Sequence, residues 1–116
     1  MTAVATYKIV KNPANKVINL TVGDKMTIQE AEKFVRDFQL TVKSIDASSW
    51  VLDIDCTGMQ VLTQELADSL TGAMALYKEV GFQKVLFTVK ENIVLKMQLS
   101  RVARNGKLDN FEVVSI

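Results

Sequence analysis

Apolar and polar positions along this chain follow two periods, and the switches between them mark out the elements. Tyr7-Lys8-Ile9-Val10 alternates and predicts a short strand. Asn12-Pro13-Ala14-Asn15 is a turn, and Val17-Ile18-Asn19-Leu20-Thr21-Val22 alternates again, so the first two strands should pair as a hairpin. Gly23-Asp24 closes the second strand. Thr27-Ile28-Gln29-Glu30 then has the form of a capping box, and Ile28, Ala31, Val35, Phe38, Val42 and Ile45 recur at helical spacing up to about Ser44.

Trp50-Val51-Leu52-Asp53-Ile54-Asp55 predicts a third strand, and Cys56 to Leu62 a loop. Thr63 is a cap candidate for a second helix with Glu65 in its first turn. Leu66, Leu70, Ala73, Tyr77 and Val80 form its stripe, and Gly81 should stop it as a left-handed residue. Lys84 to Val89 is nearly continuous in apolar residues, the pattern of a central strand buried on both faces. Asn92 can cap a third helix that turns Leu95, Leu99, Val102 and Ala103 inward, Asn105-Gly106 ends it, and Phe111-Glu112-Val113-Val114 is the last strand. The order β-β-α-β-α-β-α-β predicts an α/β fold: a mixed, mostly parallel sheet of about five strands with helices packed on it and an antiparallel edge.

Composition narrows the function. At 116 residues, the chain reads as one domain over residues 1–116, long enough for a core of its own. No apolar run reaches the length of a membrane span, and the start shows no basic region followed by an apolar stretch, so no signal peptide is read and the cytoplasm is the expected compartment. There is no histidine, which removes Ser-His-Asp and Cys-His catalysis. One cysteine without histidine builds neither an internal disulfide nor a usual zinc site. The five glycines form no phosphate-binding cluster, and no cofactor is implied. Net charge is +1, unevenly spread: acids outnumber bases nine to four from Asp24 to Asp68, and bases lead seven to four from Ser69 onward. The two readings are solvated helix faces or a charged face that steers a partner. Lys96, Arg101, Arg104 and Lys107 lie on or beside the third helix, yet few aromatics accompany them, so nucleic acid is not an expected partner.

The element order, the strand Val51-Leu52-Asp53-Ile54-Asp55, the loop to Leu62, the turn Gly81-Phe82-Gln83-Lys84-Val85-Leu86 and the run Lys96-Met97-Gln98-Leu99-Ser100-Arg101-Val102-Ala103 together resemble the STAS domain over about residues 7–116. That is the fold of bacterial anti-sigma-factor antagonists and of the cytoplasmic part of sulfate transporters, and the likeness is closest to a divergent, antagonist-like branch. The resemblance implies a regulatory protein that binds an anti-sigma factor or kinase-like partner. In the family, an Asp-Ser-Ser-Gly sequence opens the second helix and its first serine is phosphorylated, which breaks binding. Here the stretch is Thr63-Gln64-Glu65-Leu66, and the acceptor position falls on Gln64, or on Glu65 with a longer loop.

The residues themselves point to the same place. A loop leaving the carboxyl end of a central strand for a helix N-terminus is where open α/β sheets bind. Asp55, Cys56, Thr57, Gly58, Met59, Gln60, Thr63 and Gln64 are the expected partner-binding residues. Met59 and Val61 either face the partner or tuck into the core. Thr63 and Thr57 are candidate phosphorylation sites, since charge is tolerated near a helix N-terminus; Thr63 also reads simply as a cap. Asp53 and Asp55 share a strand face, as a metal or acid–base pair would, or as solvated acids at a strand end. Cys56 is either a reactive thiol or a buried, inert one. No set of residues supplies nucleophile, base and orienting group together, so catalysis is not expected. The alternative to a protein-binding module is a small-ligand domain of the same fold, holding a nucleotide or lipid between sheet and helices.

Overall fold

The structure is a computed structural model that describes residues 7–22, 28–59, 62 and 64–116. It contains β1 (Tyr7–Asn12), β2 (Val17–Val22), α1 (Ile28–Val42), a short 3-10 turn (Ala47–Ser49), β3 (Val51–Asp55), α2 (Gln64–Val80), β4 (Lys84–Val89), α3 (Ile93–Asn105) and β5 (Phe111–Ser115). This is the α/β architecture that the alternating periods predict.

The five strands lie side by side in chain order. β1 runs antiparallel to β2, with Ile9 opposite Leu20, and the remaining pairs are parallel. Each crossover steps the same way across the sheet, so right-handed connections put α1, α2 and α3 on a single face. The register agrees with this. Ile18, Leu52 and Val85 form one row and Leu20, Ile54 and Phe87 the next, and all six are buried. The residues between them point the other way: Val51, Asp53, Leu86 and Thr88 are half-buried and Asn19 is exposed. The apolar run of β4 therefore corrects the expectation of burial on both faces. Val85, Phe87 and Val89 are covered by helices, while Leu86 and Thr88 lie on an uncovered face.

α1 buries Phe34 and Phe38, one turn apart, with Val35, Val42 and Ile45 packed at the margin of the core. Phe34 lies outside the stripe read from the sequence. Its ring meets Tyr7 edge-on at 5.4 Å, and Phe38 continues the contact to Tyr77 and Phe82. The helix ends at Val42 instead of Ser44 because its last turn tightens: Ile45 N–H bonds to the Val42 carbonyl, and the Ser44 hydroxyl donates to Thr41. The expected capping residue Thr27, the Gly23-Asp24 turn and the side chains of Ile28, Ala31 and Leu66 lie outside the described residues.

α2 buries Met74 and Tyr77, with Leu70, Ala73 and Val80 half-buried beside them. It ends as expected at Gly81, whose φ is +83°. α3 is capped by Asn92, whose side-chain oxygen accepts from the Leu95 N–H at 3.0 Å, and it buries Leu95, Leu99, Val102 and Ala103. Gly106 closes α3 for a reason other than left-handed geometry. Its φ is −82°, and Lys107 takes the left-handed conformation instead. What Gly106 supplies is the absence of a side chain against α2: a Cβ there would lie 2.6 Å from the Met74 Cβ.

Candidate functional site

The loop after β3 begins where the strand loses its parallel partners. Cys56 N–H still bonds to the Thr88 carbonyl at 2.8 Å, but its carbonyl turns back to accept from Met59 N–H at 3.0 Å. Asp55 fixes the bend. Its carboxylate oxygen accepts both the Thr57 N–H at 2.9 Å and the Thr57 hydroxyl at 2.6 Å, an Asx-type turn. A short polar residue at the strand end is what this geometry needs, and Gly58 follows in open space.

The bend sorts the residues by side. Asp55, Gly58 and Gln64 are exposed and Thr57 is half-buried. Cys56 and Met59 are buried, 2% and 6% exposed, so their side chains support the loop from beneath instead of facing a partner. Of the two outcomes open for Met59, the core placement holds. Gln60, Val61 and Thr63 lie outside the described residues. Leu62 is buried and is pinned by a residue from α3. The Gln98 side chain accepts from Leu62 N–H at 2.8 Å and donates to the Leu62 carbonyl at 3.2 Å, satisfying the backbone as a neighbouring strand would.

Burial dominates the electrostatics of the loop. Burial, then the Asp55 and Asp53 charges, raises the Cys56 thiol to about 12, so it is protonated and inert at neutral pH. Burial, and then Asp55, also raises the Asp53 carboxyl above its ordinary value. Asp53 and Asp55 share the helix-free face of the sheet, as the alternation requires. Among the described residues no group of three or more Cys, Asp or Glu could hold a metal ion. The Thr57 hydroxyl is engaged by Asp55, and a phosphate there would set like charges together. Gln64 is exposed and donates to Asp68 at 3.0 Å, one helical turn on.

Beneath the loop, Ile54, Cys56, Met59, Leu70, Met74, Tyr77, Phe87 and Leu99 enclose a void of about 10 Å³, no more than a water's worth of space. A nucleotide or lipid would have to displace core side chains to enter it.

Beside the loop lies an apolar surface that the inward stripes do not include. Ile93, Val94 and Met97 are exposed on the first turns of α3, the helix that carries Gln98. Their signal was present: they are apolar residues left over once Leu95, Leu99, Val102 and Ala103 fill the inward stripe. No protein-family model, no curated protein and no solved structure matches the chain. No described helix is long and apolar enough to cross a membrane.

Proposed function

We propose that this chain is a non-catalytic regulatory module of the cytoplasm, similar to STAS-type anti-sigma-factor antagonists, that docks a protein partner on the loop from Asp55 to Gln64. The partner class that the resemblance implies is an anti-sigma factor or kinase-like regulator. The observation that carries the reading is the construction of the loop. Asp55 and Thr57 lock its first bend, Gln98 holds Leu62, and Cys56 and Met59 anchor it from below, while Asp55, Gly58 and Gln64 stay exposed at the carboxyl end of the sheet. Exposed polar positions over a void of only about 10 Å³ suit recognition by a macromolecule better than turnover of a substrate. By the resemblance the family's phosphoserine position falls on Gln64, or on Glu65 with a longer loop, and neither side chain accepts a phosphate, so docking in this chain is unswitched at that position.

The test uses Gly58→Arg, because Gly58 is exposed and an added Cβ there meets nothing within 4 Å. Capture of the native partner should fall at least about tenfold, the effect of losing a well-packed contact. The thermal midpoint should be unchanged. Undiminished capture by the folded variant would remove the loop as the docking surface.

A further inference from the structure

We propose that the solvent face of α3 is a second surface, one that settles on anionic lipid headgroups. The helix has thirteen residues, and three of them, Lys96, Arg101 and Arg104, are basic; none is acidic. A helix that packs one stripe on a core ordinarily offers polar residues on the other. Here Ile93, Val94 and Met97 retain 77%, 52% and 62% of their exposure on the side away from Leu95, Leu99 and Val102. Ile93, Met97 and Arg101 follow one another at four-residue steps, so the apolar residues and the arginines form a single ridge. Lys90 stands exposed just before the helix, and among the described residues no ion pair engages Lys90, Lys96, Arg101 or Arg104. Glu91, exposed, precedes the helix beside Lys90.

Both the shape and the charge of this ridge select its occupant. Side chains this exposed stand out from the surface and do not line a groove. A protein would need a matching concavity for three of them, whereas a headgroup layer receives protruding apolar side chains without prior shape. The unpaired cations around them find phosphates at the same depth, and their long stems lie along the acyl boundary. The ridge carries no aromatic residue for base stacking, which disfavours single-stranded nucleic acid.

Co-sedimentation of the full chain with two vesicle populations tests this: phosphatidylcholine alone, and phosphatidylcholine with about 30 mol% phosphatidylglycerol. The pelleted fraction should be at least about fivefold higher with the anionic vesicles in about 0.1 M salt and should fall in about 0.5 M salt, where surface charges are screened. Ile93→Gln combined with Met97→Asp should return binding to the neutral-vesicle level, and Arg101→Glu should do the same. Both variants alter exposed residues, and their circular dichroism should match the parent's. Equal sedimentation with both vesicles, or anionic binding untouched by the variants, overturns the proposal. So does tighter binding to soluble polyglutamate than to vesicles, which would assign the ridge to an acidic protein. Sedimentation reads the α3 ridge and partner capture reads the loop, so failure here is distinct from failure of the loop as a docking surface.

Discussion

Asp53 shows how one residue can work against the fold that holds it. It sits on the helix-free face between Asn19 and Leu86, and burial with the nearby Asp55 raises its carboxyl above the ordinary 3.8. A folded-state pKa above the unfolded one means that the folded state holds its proton more tightly. The associated stability is present below the unfolded value and is lost as pH rises through the folded one. At neutral pH the ionised Asp53 is therefore a net cost. Asp53→Asn should raise the thermal midpoint at pH 7, and the gain over the parent should shrink to nothing as pH falls below the carboxylate range. A variant less stable than the parent at pH 7 would show that Asp53 is held by favourable contacts.

Between elements, the end of α3 packs tightly against α2. At Gly106 an added Cβ would meet the Met74 Cβ at 2.6 Å, the Thr71 carbonyl at 2.9 Å and the Ala75 nitrogen at 3.0 Å. Two of these contacts are backbone, which cannot rotate away, so the helix end must shift. Gly106→Ala should lower the unfolding free energy in urea by about 1–3 kcal/mol, the usual cost of overpacking. Gly58→Ala, in open space, serves as the control and should change little. The sequence announced a helix end at Asn105-Gly106, but the reason for the glycine was not readable there, because it lies far along the chain, at Thr71, Met74 and Ala75 of another helix. α3 itself was legible throughout: its cap is one side chain and its stripe one period. β4 was misjudged because an apolar run records what each residue tolerates, while coverage depends on which face the crossovers take. The loop after β3 was legible in position and only partly in orientation. Nothing local to Cys56 and Met59 says that a bond to Thr88 and a turn fixed by Asp55 will roll both side chains inward.

On the scale of the whole molecule, one core gathers residues from every helix and from all five strands, with Phe38, Tyr77 and Phe82 joining α1, α2 and the approach to β4. A single shared core makes unfolding cooperative. Far-ultraviolet circular dichroism, which follows the backbone, and Trp50 fluorescence, which follows the core, should report the same urea midpoint. Separated midpoints would reveal a subunit of the fold that melts alone. The two proposed surfaces sit on the same molecule without sharing residues: the loop at the carboxyl end of β3, and the ridge of α3, with Gln98 of that helix bonded to Leu62 of the loop.

The order of strands across the sheet is also their order in time as the chain leaves the ribosome. β1 and β2 can pair as soon as both have emerged. Every later strand then finds its neighbour already at the growing edge, with its helix arriving just before it. No early strand must wait for a distant, late one, as it would in a sheet that inserts its last strand at the centre. Synthesis and assembly run in the same direction, and at each moment translation leaves little more unpaired than the newest strand.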